Sequence, residues 1–353
     1  MNPGKTLKIA LVSPVWLRVP PVTYGGIEII VGLLADGLVK RGHDVTLFAS
    51  GDSVTNAKLF SVYKEAQRDQ LGMLVPDIFH AGAAFSFIKH RGDFDIIHDH
   101  TSFSGIALGS LIDTPLLATM HGAFNEQTTP FYRHFKDSVY YNAISEFQKR
   151  ALPELRWAST VYNAIDIDKY QFQAEKDDFL FNISRVTREK GTHLAIAAAK
   201  RAGKKLILAG KIDPGKDMKY FRKEVEPHID GDKIVFMGEV SEAEKINLMR
   251  RAAAFIFPIE WAEPFGLVMI EAMASGTPAI AFDQGSVPEV IADGISGFVV
   301  SDLDAMVDRV SRLDEIDPAA CRRHVETKFH PDIMVENYLR NFYHILEGGK
   351  LPS

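Results

Sequence analysis

The sequence predicts an α/β protein built from two doubly wound, Rossmann-like domains, and two observations carry that expectation. Apolar runs of strand length alternate with amphipathic helical stretches along almost the whole chain, the pattern of parallel sheets covered by helices. One polar stretch, 166–178, has neither a helical nor a strand period and divides the alternation into two similar halves. The 353 residues, 46% hydrophobic and 24% charged, suit two globular domains of ordinary size.

In the first half, strands are expected at 8–13, 44–49, 95–98, 116–120, 140–144 and 159–162, with the clearest helix at 27–40. In the second half they are expected at 179–184, 205–209, 233–237, 254–257, 279–282 and 297–300. A helix at 192–202 lies between two of these, and Ser241-Glu242-Ala243-Glu244 reads as a capping box that opens another. The expected domains are 1–165 and 166–328, followed by an amphipathic helix in 329–353 that packs back across the first domain. Two such domains facing each other would form a cleft.

The stretch WAEPFGLVMIEAMASGTP, 261–278, contains two glutamates around a helix start. Pro264 suits a first helical turn, Gly266 permits close backbone approach, and Gly276-Thr277-Pro278 stops the helix. Eight positions at about 100° each leave a net rotation of about 80°, so two helical glutamates would not share a face. Glu263 is therefore expected in the loop and Glu271 roughly two turns inside the helix.

Several classes are disfavoured. No stretch approaches the ~20 apolar residues that span a bilayer, and 1–6 is too polar and short for a signal peptide, so a cytoplasmic location is expected. The single Cys321 excludes an internal disulfide and a thiolate zinc site. A formal charge of −6 offers nucleic acid no general attraction. There is no G-x-S-x-G elbow for a hydrolase and no G-x-G-x-x-G loop for a dinucleotide-dependent oxidoreductase.

The chemistry-bearing residues fall near strand ends. Tyr24-Gly25-Gly26-Ile27 opens the first long helix, where glycines expose N–H groups to an anion; a tight turn is the plainer alternative. Arg185 follows the first strand of the second half and Lys190-Gly191 precedes its first helix, so two cations lie at the carboxyl edge of a parallel sheet, where they suit a diphosphate. Solvated surface charge is the plainer alternative for that segment taken alone. Phe265, Gly266 and Leu267 are expected to aim N–H groups at phosphate or sugar oxygens, with Glu263 and Glu271 accepting from hydroxyls. His98-Asp99-His100 with His121 can be drawn as a metal site, but a satisfied loop cluster is commoner. Asp99, Tyr24 and Phe124 are candidate acceptor contacts, with core or loop packing as the alternative.

Arg185, Lys190-Gly191, Gly238-Glu239-Val240, Glu263-Pro264-Phe265-Gly266 with Glu271, Gly276-Thr277-Pro278, Gly285-Ser286-Val287-Pro288-Glu289, and Gly294 with Gly297 occur in that order. This set closely resembles the retaining glycosyltransferases of family 4, which have the GT-B fold. The first half also fits, with its Gly-Gly loop, His98-Asp99-His100, His121-Gly122 and Ser145-Glu146. The resemblance implies that Arg185 and Lys190 bind the diphosphate of a nucleotide sugar and that Glu263 contacts the sugar. It implies that Glu271 contacts the ribose, that Val240 lines the base pocket, and that His121 faces the sugar near the reacting carbon. Two cations and helix N-termini would then supply what a metal supplies elsewhere, so neither metal nor resident cofactor is expected. The acceptor would be a small molecule, a saccharide or a lipid-linked group. A GT-B epimerase, a sugar phosphorylase and a non-catalytic nucleotide-sugar-binding module remain the alternatives.

Overall fold

The computed structural model describes residues 5–22 and 24–348. The chain divides into two compact units, Met1–Ile165 with Pro331–Ser353, and Asp166–His330. The first contains strands β1 (Lys8–Val12), β2 (Asp44–Phe48), β3 (Lys58–Phe60), β4 (Ile96–Asp99), β5 (Leu116–Thr119), β6 (Tyr140–Ala143) and β7 (Trp157–Thr160). All pairs are parallel, in the order β3-β2-β1-β4-β5-β6-β7. The second contains β8 (Phe179–Ile183), β9 (Lys205–Ala209), β10 (Ile234–Phe236), β11 (Ala254–Phe257), β12 (Ala279–Phe282) and β13 (Gly297–Val300). These are also all parallel, in the order β10-β9-β8-β11-β12-β13. In both sheets the strand order reverses beside the first strand, at β1/β4 and at β8/β11. At such a reversal the two following loops diverge to opposite faces and leave a crevice at the strands' carboxyl ends.

Helices α1 (Gly26–Lys40), α2 (Leu74–Arg91), α3 (Phe103–Gly109), α4 (Thr129–His134) and α5 (Glu146–Ala151) belong to the first unit. Helices α6 (Thr192–Ala202), α7 (Lys216–Tyr220), α8 (Glu242–Arg251), α9 (Leu267–Ala274), α10 (Val287–Val290), α11 (Leu303–Val310) and α12 (Pro318–Lys328) belong to the second. Ser241 caps α8 by accepting from the Glu244 N–H at 3.2 Å. The last helix, α13 (Pro331–Leu346), returns to the first unit and buries Met334, Val335, Tyr338, Leu339, Phe342 and Ile345. Each such side chain contributes about 1.5–3 kcal/mol of burial, enough to fix the helix in place. Arg41 of the α1 C-terminus meets Asp332 at 2.8 Å.

Four sequence expectations are corrected. The strand expected at 159–162 lies two residues earlier, because Trp157 turns inward and its Nε1 donates to the Leu152 carbonyl at 2.8 Å. The edge strand β3 went unpredicted, since three mostly exposed residues carry no apolar pattern. The stretch 166–178 is not a free linker: Ile167 and Tyr170 are buried, and Arg322 donates to the carbonyls of Ile167, Tyr170 and Ala274. The helix in 261–278 begins at Leu267, leaving Pro264 and Phe265 outside it, because Gly266 has φ +83° and cannot continue a right-handed helix.

Candidate active site

In the second unit the loops after β8 and β11 touch at one place beside the reversal point before they part. Lys190 ends a single turn of 3-10 helix, and Gly191, at φ +71°, directs the chain into α6. A Cβ at Gly191 would overlap the Pro258 carbonyl oxygen, so the two loops touch through a position only glycine can fill. That contact puts the Lys190 ammonium 2.7 Å from Glu263 Oε2, to which Trp261 Nε1 also donates at 2.9 Å. The ammonium lies 4.7 Å from the Trp261 ring centre, within cation–π range. Glu263 is held in turn by the next loop. The Ser286 N–H donates to the Glu263 carbonyl at 2.9 Å and its hydroxyl to the Phe265 carbonyl at 3.0 Å, while Gly285 leaves no side chain between.

Glu263 lies outside α9, and Glu271 is its fifth residue, one turn inside rather than two. Leu267 opens the helix, Gly266 caps it, and Phe265 is buried edge-on against Phe329 at 5.7 Å. The Glu271 carboxylate is buried, and Lys245 of α8 takes both its oxygens, at 3.0 and 2.9 Å. Burial, with Glu271 beside it, pushes the Tyr170 hydroxyl well above its ordinary range, so it stays a neutral donor. Arg185 is half exposed, 3.0 Å from Glu189 and 3.9 Å from Asp217. Val240 is partly buried in the loop after β10.

The first unit's carboxyl edge is of another kind. His98 and Asp99 end β4, His100 follows them, and His121 follows β5. His98 Nε2 is 2.7 Å from Thr119 Oγ1, which is 3.2 Å from the Tyr338 hydroxyl of α13. His100 Nδ1 is 2.8 Å from His121 Nε2, with the two rings stacked at 5.1 Å. Burial lowers the pKa of His98 and His100 well below the ordinary imidazole range and pulls His121 down to about 4. Near neutral pH all three rings are therefore uncharged. Gln148 of α5 donates to the carbonyls on either side of His121, Met120 at 3.0 Å and Gly122 at 2.8 Å, and accepts from the Ile144 N–H.

One candidate acceptor contact fails here. Asp99 is fully buried, accepts from the Thr101 hydroxyl and the Ser102 N–H, and lies against Gly105, so it cannot reach an acceptor. Desolvation raises its carboxyl to about 7. Phe124 is partly buried, packed edge-on against Tyr132 and Trp157 at the margin of the core. Tyr24, by contrast, is 85% exposed. Gly25 caps α1 and Gly26 begins it, but the buried Glu28 carboxyl bends back beside Gly25, where burial raises it to about 7. The first turn thus already faces an acid of its own.

The structure brings Lys190 to Glu263 and places Arg185 at the same sheet edge; Glu271 pairs separately with Lys245. Sequence reasoning missed Lys245, Trp261, Tyr170 and Gln148. Lys245 lies 26 positions from its partner, a spacing with no local signature. Among the described residues no group of three or more His, Cys, Asp or Glu side chains is arranged to hold a metal ion.

Residues 165–325 match the family described as glycosyl transferases group 1, and residues 24–169 match glycosyltransferase family 4. The glycogen synthase of Mycobacterium tuberculosis is 27% identical, over 90% of this chain and 88% of the relative. The phosphatidyl-myo-inositol mannosyltransferase of Mycolicibacterium smegmatis is 26% identical, over 85% of this chain and 83% of the relative. Among solved structures, HepE from Anabaena in complex with UDP-glucose has a TM-score of 0.71 at 17% identity, covering 97% of this chain and all of that one. Together the two matched regions run through both parallel-sheet units, and the chain belongs to glycosyltransferase family 4, with the GT-B fold.

Proposed function

We propose that the protein is a retaining glycosyltransferase that moves a hexose from a nucleotide diphosphate sugar to a small-molecule, saccharide or lipid-linked acceptor without a metal ion. The observation that carries this reading is the Lys190–Glu263–Trp261 cluster with Arg185 at the carboxyl ends of β8 and β11. A diphosphate leaving group gains negative charge as the anomeric C–O bond breaks, and two cations at that edge stabilise it most in the transition state. We assign Lys190 and Arg185 to the diphosphate, Glu263 to the sugar hydroxyls, and Glu271 with Lys245 to the ribose. Val240 and the N–H groups at Phe265–Leu267 complete the donor contacts, and His121 takes the sugar-facing role in the first unit. A UDP-glucose complex of a structural neighbour supports a nucleotide-sugar donor.

In the proposed step the bond from the anomeric carbon to the diphosphate oxygen breaks, and the acceptor oxygen bonds to that carbon on the same face. The acceptor proton passes to the departing phosphate oxygen, so no side-chain base is required. The products are the glycosylated acceptor and the nucleoside diphosphate. A panel of uridine, guanosine and adenosine diphosphate sugars, each tested for a rise in Tm, identifies the donor by mass action. Transfer from that donor with chelator present, followed by NMR of the product anomer, tests the rest. An inverted anomer, or activity abolished by chelation and restored by a divalent ion, refutes this proposal.

A further inference from the structure

Among the described polar atoms, two ring nitrogens in the histidine cluster are shut away from water without a partner: His98 Nδ1 and His100 Nε2. His121 differs, since it is partly exposed and its Nδ1 is not among the buried unpartnered atoms. The 2.8 Å contact between His100 Nδ1 and His121 Nε2 needs one proton and one lone pair. Both rings being neutral, only two arrangements fill it. If His121 Nε2 is the donor, His100 must carry its single proton on Nε2, as a buried N–H with no acceptor. If His100 Nδ1 is the donor, the atom left buried is a bare lone pair. Orphaned buried N–H groups are the rarer of the two in folded proteins.

We infer that His100 is a positioning residue: it donates from Nδ1 to His121 Nε2, forcing the His121 proton onto Nδ1, where it faces the edge of the unit as a hydrogen-bond donor. A free histidine is not so constrained, and its exposed nitrogen could equally be an acceptor. The fixed donor suits an oxygen of a polyhydroxylated ligand that can accept. Gln148 supports the same geometry from the backbone, holding the carbonyls of Met120 and Gly122 and so fixing the main chain from which the His121 ring projects. His98 obeys the same logic, with Nε2 donating to Thr119 and Nδ1 left bare. The consequence for turnover rests on the glycosyl-transfer reading above; the tautomer does not.

The test is two-bond 15N–1H correlation NMR of the full chain with labelled histidine, the His121 signals being assigned by their loss in His121→Gln. Protonated Nδ1 and bare Nε2 are expected for His121 in the ligand-free protein. His100→Asn places an amide N–H where Nδ1 was, and is expected to keep that tautomer and to keep kcat close to the parent value. His100→Leu removes the donor and should move the His121 proton to Nε2, lowering kcat roughly five- to tenfold, the equivalent of one ordinary hydrogen bond. A parent protein with His121 protonated on Nε2, or a folded His100→Leu with an unchanged tautomer, overturns the inference. If His100→Leu does not fold, the parent and His100→Asn spectra decide. No turnover with any nucleotide sugar would instead count against the glycosyl-transfer reading and leave the tautomer standing.

Discussion

The two units share a sheet topology but differ at the edges that carry their polar residues. At the second unit's edge, charges stand in opposite-sign pairs: Lys190 with Glu263, Lys245 with Glu271, Arg185 with Glu189. At the first unit's edge burial disfavours charge: His98, His100 and His121 refuse protons near neutral pH, and Asp99 and Glu28 hold theirs up to about pH 7. The lesson is that desolvation selects either a counter-charge or neutrality, according to what the neighbouring loops supply. One edge can answer a charged ligand by exchanging partners. The other can offer only dipoles.

The strongest challenge to that contrast removes one member of a buried pair. Lys245→Met leaves the Glu271 carboxylate without its counter-charge and should destabilise the second unit by about 3–5 kcal/mol, whereas Lys245→Met with Glu271→Leu should recover most of it; thermal unfolding of the three proteins checks this. Next is Lys190→Ala, for which kcat for sugar transfer should fall about 10²–10³-fold, the range for a lost charge-stabilising group. Near-parental turnover would remove Lys190 from the role given it.

A smaller effect sharpens the neutral side. Asp99, raised to about 7, stabilises the fold at acid pH, and that contribution is lost as pH climbs from its unfolded value near 4 through 7. Asp99→Asn lacks the loss, so its Tm relative to the parent should rise steadily between pH 4 and 7. The histidines work in the opposite sense. Below about 6.5 the unfolded imidazoles take up protons that the folded ones reject, so stability falls with pH, and Asp99→Asn should show that fall less compensated. A pH-independent difference between the two proteins would mean that Asp99 is ionised in the fold. Smallest is Arg185→Ala, whose half-exposed ion pair should contribute within about 1 kcal/mol to stability. Its effect should appear instead as a fall in kcat/KM for the nucleotide sugar, smaller than that of Lys190→Ala.

The strands and the principal helices were legible because their apolar periods are local; β9, β11, β12, β13 and α6 have the limits the sequence suggested. The loop position of Glu263 followed from helical geometry alone. Pairings across the sheet were not legible. His100 and His121 stand 21 positions apart yet meet because β4 and β5 are neighbours ending at the same level. The start of α9 was misplaced because Pro264 suits a first turn, whereas the left-handed backbone at Gly266 becomes visible only once Met269 and Phe257 are in place around it. Asp99 looked available because the strand was read one residue short; as the last residue of β4 it is enclosed between Val12 and Ala118.

The return of α13 to the first unit has a consequence for how the chain is made. Tyr338 supplies the hydroxyl that faces Thr119 and Asn142, and Asn341 reaches Ser159. A ribosome must therefore complete all of Asp166–His330 before the first unit can acquire its last helix. At about 5–20 residues per second that interval is on the order of 10–30 s. By its end the second unit, continuous in sequence, has every residue it needs, while the first, although begun earlier, has waited with the inner ends of its histidine cluster uncovered. The unit synthesised first is thus the one finished last.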